Sequence, residues 1–196
     1  MKKIELVYSY ILEQALEKKR TAMTQAEIAK ALDISLSTVN AAVGHLRKMN
    51  AIRVKLRSFD IVDAKKILYY WASIRNVGKD IAYATRVDAT VAEIEKNMPP
   101  GVVYAAYSAY KIKFKDVPAD YSEVYVYGDP EKVKKRFPPS KNRPNLFVLS
   151  LPKTSNDVSR FWRMAIANIF VDLWNMKEWY AKDFLNALEV KMHELA

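Results

Sequence analysis

The sequence contains no cysteine, only two histidines and only four glycines among its 196 residues. The absence of cysteine excludes disulfide bonds, thiolate zinc sites and thiol nucleophiles, and two histidines are too few for a histidine-rich metal cage. The chain also lacks an uncharged run of eighteen apolar residues, and its N-terminal segment alternates Glu and Lys with apolar positions at helical spacing. We therefore expect no membrane span and no secretory signal, but a cytoplasmic protein without a metal or cofactor.

Positive charge is concentrated in the N-terminal part of the chain. The formal net charge is +10, and residues 1–75 hold fourteen Lys and Arg against seven Asp and Glu, whereas residues 76–196 hold eighteen against fifteen. A basic segment of this kind attracts polyanions, nucleic acid above all, although an anionic membrane or an acidic protein satisfies the same electrostatics. Charge alone also leaves open a surface that is merely solvated.

The first fifty residues predict three helices separated by short links. Apolar residues recur at helical spacing from Ile4 to Leu16, which predicts the first helix. Thr24-Gln25-Ala26-Glu27 has the form of a capping box, so a second helix is expected to begin there and to end at Asp33-Ile34-Ser35. Ser35 can then cap a third helix. The apolar set of this third helix, expected to face the core, is Leu36, Val39, Val43, Leu46 and Met49.

A helix held by such a tight turn can project its first turns into the major groove of DNA, where base edges differ. Ser37 and Thr38 carry short hydroxyls suited to phosphate oxygens near the helix N-terminus. Asn40 is the best candidate for a base edge because its amide can pair with adenine, and Ala41 is small enough to permit close approach. The helical candidates for DNA contact are Thr24, Gln25, Ser35, Ser37, Thr38, Asn40, Ala41, His45, Arg47 and Lys48.

Three members of this set have a competing interpretation. His45 is either a phosphate contact or a packing residue. Arg47 and Lys48 are either phosphate clamps or part of an ordinary solvated helix face.

The segment after Asn50 predicts a short basic wing. Apolar and cationic residues alternate from residue 52 to residue 57, which is the period of a strand with cations on one face. Ser58-Phe59-Asp60 is expected to turn the chain into a returning strand at Ile61-Val62. The tip has no glycines, so contact with the phosphate backbone is expected rather than insertion into the minor groove. The candidate DNA-binding residues of the wing are Arg53, Lys55 and Arg57.

The stretch from Thr24 to Val54 resembles a winged helix-turn-helix of the broad class of prokaryotic transcription regulators. Glu27-Ile28-Ala29 with Leu32, Ser37-Thr38-Val39, and residues 46–52 carry this resemblance. It implies double-stranded DNA as the partner. Two alternatives stay open, because some winged-helix domains bind only protein and because two helices joined by a tight turn also occur in ordinary bundles.

The pattern becomes mixed after a predicted helix from Asp63 to about Arg75. Residues 88–97 and 131–137 predict helices, a short helix is expected to open at residue 108, and two long helices finish the chain. Strands are expected at residues 102–104, 123–127 and 146–149. The fold class predicted is therefore α+β, with a winged helix-turn-helix domain and linker helix at 1–75 followed by an α+β effector or partner-binding domain at 76–196, a small sheet covered by helices.

This second half resembles the nucleotidyltransferase-related C-terminal domain of antitoxins from AbiEi-type abortive-infection systems. Residues 102–109, the strand Val124-Tyr125-Val126-Tyr127, and Val171-Asp172-Leu173-Trp174-Asn175 carry the likeness. It implies a degenerate nucleotidyltransferase-like fold in an autoregulating DNA-binding protein whose second domain meets a nucleotidyltransferase toxin. A working nucleotidyltransferase needs a Gly-Ser phosphate cradle and paired carboxylates on a strand. The sequence offers Tyr107-Ser108 and Glu123 alone, so we expect no catalytic residues and no enzyme.

The second half contains two clusters of basic residues. The first cluster consists of Lys111, Lys113 and Lys115, which alternate with apolar residues. This alternation predicts the solvent-exposed face of an edge strand. The cations of residues 132–143 form either a solvated helix face or a surface for DNA, RNA or an acidic protein. A homodimer is expected because two heads double the DNA interface. The hypotheses carried forward are a sequence-specific regulator, an antitoxin-like interaction module, and an RNA-associated or enzymatic role of the second half.

Overall fold

The computed structural model describes residues 2–150 and 165–195, with residues 193–195 described by their backbone alone. Its helices are α1 (Lys3–Leu16), α2 (Gln25–Leu32), α3 (Leu36–Lys48), α4 (Ala64–Ile74), α5 (Val91–Lys96), α6 (Ala106–Phe114), α7 (Pro130–Arg136), α8 (Ile166–Trp174) and α9 (Ala181–Leu195). Its strands are β1 (Ala22–Met23), β2 (Ile52–Val54), β3 (Phe59–Ile61), β4 (Ile81–Thr85), β5 (Val103–Ala105), β6 (Val124–Tyr127) and β7 (Leu146–Leu149). A short 3-10 turn (Val77–Asp80) joins α4 to β4.

The head, residues 2–75, consists of α1 to α4 and a small antiparallel sheet with the strand order β1-β3-β2. Met23 on β1 and Val54 on β2 both lie opposite Phe59 on β3, and the Phe59 side chain is buried. Burial of a phenylalanine side chain stabilises a fold by about 1.5–3 kcal/mol, so Phe59 anchors the wing to the helices.

Two details of the head differ from the sequence prediction. Phe59 was predicted in the turn of the wing, but it lies in β3. The turn instead spans residues 55–58, where the N–H of Lys55 donates to the carbonyl of Ser58 at 2.8 Å. Leu36 was predicted in the core, but it is 55% exposed, and Ala42 occupies the buried stripe of α3 together with Val39. Leu36 is the first residue of α3, at the end of the stripe, and it lines an open groove beside the wing.

The second half is built on a four-stranded sheet with the order β4-β7-β6-β5. β6 and β7 are parallel, whereas β4 pairs with β7 and β5 with β6 in the antiparallel sense. Because side chains alternate across a strand, Val124 and Val126 face one side, where they pack in a small core with helix residues Ile94 and Val133. Tyr125 and Tyr127 belong instead to the large core on the side of α6 and α8. The sheet is therefore covered by helices on both faces.

Three sequence predictions for this half are corrected or extended by the structure. Lys111 and Lys113 are not on an edge strand but on α6, and Lys115 ends that helix in a left-handed conformation with φ 54°. The helix is favoured because residues 106–110 are all buried, which a half-exposed edge strand does not allow. The helix predicted at residues 88–97 is limited to α5, whose N-cap Thr90 forms a complete capping box with Glu93. β1 and β4 carry no clear alternation and were not predicted.

One continuous core extends from the head into the second half. α8, whose residues 166–173 are all buried, contacts both α1 and α4 of the head. The hydroxyl of Ser9 on α1 donates to the side-chain oxygen of Asn168 on α8 at 2.7 Å. The side-chain amide of Asn175, at the end of α8, donates to the carbonyl of Ala72 on α4 at 3.1 Å. The domain boundary at residues 75 and 76 stays a prediction.

The predicted fold class is confirmed: an α+β protein with an N-terminal winged helix-turn-helix domain, followed by a sheet covered by helices. Within the described ranges, no helix combines the length and the apolar character that crossing a bilayer requires.

Candidate nucleic-acid interface

The turn between α2 and α3 sets the direction of the third helix. Asp33 adopts a left-handed conformation with φ 50° and ψ 54°, and its N–H donates to the carbonyl of Ala29. Asp tolerates this conformation better than most residues. The N–H of Ile34 also donates to Ala29, at 3.1 Å, and its side chain is buried. The turn is therefore held to the last turn of α2, directly before α3 begins.

The N-terminus of α3 carries a cluster of hydroxyl groups. Ser35 is the N-cap, and its Oγ accepts a hydrogen bond from the N–H of Thr38 at 3.3 Å. The same Oγ shares hydrogen bonds with Ser37 Oγ at 2.9 Å and Thr38 Oγ1 at 2.8 Å. Helix N-termini favour anions because their first N–H groups and the macrodipole point at the ligand. The three hydroxyls predicted to contact DNA thus lie together at a helix N-terminus, a position that favours binding of a phosphate oxygen.

The outward face of α3 presents the predicted base-reading residues. Val39, Ala42, Val43 and Leu46 are buried, which fixes the rotation of the helix. The opposite face exposes the predicted contacts Ser37, Asn40, Ala41, Arg47 and Lys48. Their spacing at three, four and seven positions places them on one stripe, with the polar residues in the first two turns and the cations in the last.

His45 has a packing contact that the sequence did not reveal. Its ring stacks on Tyr70 of α4, with ring centroids 6.2 Å apart and an interplanar angle of 25°. Tyr70 in turn meets Tyr8 of α1 edge to face at 5.7 Å. His45 therefore links α3 to α4 while its side chain stays exposed.

The wing carries three cations in unequal settings. Lys55 Nζ lies 2.5 Å from the carboxylate of Asp60, and Arg53 on β2 is the cross-strand neighbour of Asp60. Arg57, in the turn, is exposed and forms no ion pair with any side chain of the described part of the chain. Positive charge on the wing is thus partly neutralised near Asp60 and fully available at Arg57.

An apolar groove separates the wing from the helices, which the sequence did not predict. Leu36 of α3 and Val54 and Leu56 of the wing line it, and they are 55%, 47% and 96% exposed. The groove has a volume of about 360 Å³. Single exposed apolar side chains are common on protein surfaces, but three that line one groove form a patch of the kind that can mark an interaction site. The alternation over residues 52–57 places Leu56 on the apolar face of the predicted strand, but β2 ends at Val54 and Leu56 is therefore exposed.

Thr24 and Gln25 lie at the other edge of this groove. Thr24 Oγ1 accepts from the N–H of Glu27 at 3.1 Å, so the predicted cap is present. The reciprocal half of the capping box does not form, because the Glu27 carboxylate binds Arg20 at 2.6 Å and accepts from the Thr24 hydroxyl at 3.3 Å. The helix start is nevertheless fixed beside the wing.

The geometry is that of a winged helix-turn-helix domain with α3 and the wing exposed on one surface. Consistent with this class, residues 11–53 match the family model of winged helix-turn-helix DNA-binding domains. No curated protein and no solved structure shows a significant match to the chain. The family match therefore bears on the head, and DNA is the partner that it supports.

Proposed function

We propose that the protein is a sequence-specific transcription regulator that reads the major groove with α3 and holds the phosphate backbone with its basic wing. The observation that carries this proposal is the family match over residues 11–53 together with the exposure of Asn40 and Ala41 on the first half of α3. An asparagine amide can bind both the N6 and N7 positions of adenine, and an alanine methyl can contact a thymine methyl.

The residues around α3 are suited to contacts with the DNA backbone, which add affinity but no sequence specificity. Ser35, Ser37 and Thr38 form a hydroxyl cluster at the helix N-terminus, suited to one phosphate. Arg47 and Arg57 are exposed cations suited to phosphates on either side. Contacts of this kind position a protein on the duplex without reading its sequence. The leucines of the groove add an apolar surface for thymine methyl groups or sugar rings.

We further propose that the protein acts as a cytoplasmic homodimer without catalytic activity. One head offers a small interface, and two heads bound one helical turn apart double it. Two observations argue against catalysis. Ser108 is fully buried within α6, and Glu123 accepts a hydrogen bond from the hydroxyl of Tyr180. The side chain of His193 lies outside the described residues.

The alternative is an antitoxin-like module that regulates its own operon and neutralises a nucleotidyltransferase. One observation favours a protein partner for the second half. Beside the start of α9, Trp179 is 80% exposed, a setting suited to a protein contact. Co-expression with a nucleotidyltransferase encoded beside the gene, followed by gel filtration of the pair, tests this alternative.

The decisive experiment for DNA binding is fluorescence anisotropy with the duplex upstream of the protein's own gene and with a shuffled duplex of equal length. Both duplexes are titrated at several salt concentrations. Selective binding that weakens steeply with salt supports a specific regulator. Equal and weak binding to both duplexes would overturn the proposal and favour a protein-binding winged helix.

A further inference from the structure

A cavity of about 260 Å³ lies where the head meets the last two helices. Leu16 from α1, Leu68 and Tyr69 from α4, Phe170 from α8, and Glu189 and Met192 from α9 line it. Its walls are mainly apolar, and they come from both halves of the chain. Sites at such junctions, with apolar walls and a few fixed polar groups, are the usual places for small ligands.

A carboxylate is the principal polar group of the wall. The hydroxyl of Tyr69 donates a hydrogen bond to Glu189 Oε1. Burial, followed by the hydrogen bond to Glu189 and the negative charge of that residue, raises the pKa of Tyr69 to about 12. Tyr69 is therefore a neutral donor at physiological pH, and the second oxygen of the carboxylate can accept a bond from a ligand.

Two aromatic residues of the wall, Tyr69 and Phe170, form a cluster with Trp174 behind them. Tyr69 meets Phe170 edge to face at 5.4 Å and Trp174 at 5.5 Å, and Phe170 stacks on Trp174 at 5.8 Å. The ammonium of Lys65 lies 5.7 Å from the centre of the Tyr69 ring. The ring therefore already attracts a cation, supplied by the chain itself.

From these contacts we propose that the cavity binds a small aromatic or aliphatic molecule carrying an ammonium group. The apolar body would lie against Leu68, Phe170 and Met192. The ammonium would bind the Glu189 carboxylate and the Tyr69 ring, taking the place of the Lys65 ammonium. The side chain of Lys65 is exposed and flexible, so its ammonium can move into water. The Glu189 side chain is half-buried and is held by its hydrogen bond to Tyr69. The fixed charge of the wall is therefore negative, which selects a cation over an anion.

The position of the cavity also suggests how a ligand would act, a step that depends on the proposed DNA-binding function. α4 lines the cavity with its first two turns, and the N–H groups of Val62 and Asp63 just before it both donate to the carbonyl of Ala51, at 2.9 and 3.1 Å. The N–H of Ala51 in turn donates to Leu46 of α3 at 3.0 Å. Tyr70 on α4 stacks on His45 of α3. A ligand that displaces α4 from α9 thus disturbs the recognition helix, and we expect it to weaken DNA binding.

Binding itself is tested without DNA, by isothermal titration calorimetry with three probes that share an indole ring. Tryptamine carries an ammonium, tryptophol a hydroxyl and indole-3-acetate a carboxylate. We expect tryptamine to bind the full chain at least about tenfold more tightly than the other two, the ratio that one charge-assisted hydrogen bond provides. No binding by any probe, or tighter binding of indole-3-acetate, would overturn the proposal.

Two variants locate the bound probe. Glu189→Gln keeps the size of the side chain and is expected to lower tryptamine affinity about tenfold while leaving tryptophol unchanged. Asp183→Asn, on an exposed position of the same helix, is the matched control and should change neither. Ala64→Leu adds three carbons to the cavity wall and should abolish binding of tryptamine. If Ala64→Leu does not fold, the Glu189→Gln ratio decides, and an unchanged ratio would place tryptamine elsewhere.

The coupling is measured separately by repeating the DNA titration with saturating tryptamine. We expect weaker DNA binding, and saturating DNA must then weaken tryptamine binding by the same factor, because linkage between two sites is reciprocal. If the protein binds no DNA, the proposed function fails while the calorimetry still decides the cavity. If both ligands bind independently, the cavity stands and the coupling is wrong.

Discussion

The guanidinium of Arg75 donates a hydrogen bond to the phenol oxygen of Tyr127 at 3.1 Å, joining the end of α4 to the centre of the sheet. Around this contact lie three carboxylates. Arg75 forms ion pairs with Glu5, at 3.4 Å, and with Asp80, and Tyr127 donates to Asp172 at 2.7 Å. The network thus connects α1, α4, the 3-10 turn, β6 and α8 in the interior. It holds the head against the second half.

Replacement of Arg75 is expected to be severely destabilising. Arg75 is 4% exposed, and Arg75→Met leaves Glu5, Asp80 and Asp172 without their common cation. Loss of one partner from a buried ionic cluster costs about 3–5 kcal/mol. Urea unfolding followed by circular dichroism measures this change. Arg86→Met, which removes an exposed ion pair with Asp88, is the control and should cost less than about 1 kcal/mol. Equal effects of the two substitutions would contradict the role of the network.

Asp172 is expected to make stability depend on pH in the acid range. Burial raises its pKa to about 6, against the partial opposition of Arg75 and of the Tyr127 hydrogen bond. Because the folded pKa lies above the unfolded value of 3.8, the folded state binds the proton more tightly, and this stabilisation is lost as pH rises from about 4 to about 6. The loss is on the order of 2 kcal/mol. Asp172→Asn should remove this part of the pH dependence, measured as the difference in unfolding free energy at the two ends of that window. An unchanged difference would show that Asp172 does not titrate there.

Such a network could not have been predicted from the sequence. Its members are far apart along the chain, and Glu5, Arg75 and Asp172 each stand in segments whose local pattern is helical or polar. What was predictable was local: the caps Thr24 and Ser35, the buried stripe of α3, and the strand at residues 146–149. These depend on a few neighbouring residues and on periodicity, which the sequence shows directly.

The errors have the same physical origin. Lys111 and Lys113 alternate with apolar residues as on a strand, but they lie on α6, where they bind Glu95 at 2.6 Å and Glu17 at 3.2 Å. Those partners come from α5 and from the end of α1, so tertiary contacts decided the structure. Leu36 follows the apolar stripe of α3 and is nevertheless exposed, because it lies at the start of the helix and borders the open groove beside the wing.

Asn40 is the substitution that tests the reading of bases by α3. Asn40→Ala is expected to weaken binding to the specific duplex by about 1–3 kcal/mol and to relax selectivity against the shuffled duplex, because the amide contact to one base is lost. The combination with Arg47→Ala should weaken binding to both duplexes further. Asn186→Ala, on an exposed position of α9, is the control. If the double variant binds every duplex as the parent does, α3 is not the reading helix.

Substitution of Asp60 is expected to strengthen DNA binding instead of weakening it. Its carboxylate binds Lys55 at 2.5 Å and lies across the strand pair from Arg53, so it reduces the positive charge that the wing presents to phosphate. Asp60→Asn should therefore strengthen binding to both duplexes, about threefold to tenfold at low salt, and steepen the salt dependence because Lys55 becomes free to displace a counterion. The cost in stability should be about 1 kcal/mol, since the Lys55 side chain is exposed and that of Asp60 is still partly accessible to water. Arg57→Ala in the same titration should weaken binding to both duplexes and lower the slope by about 0.9. If neither substitution changes the slope, the wing does not contact the phosphate backbone, and the affinity of the head must come from α2 and α3 alone.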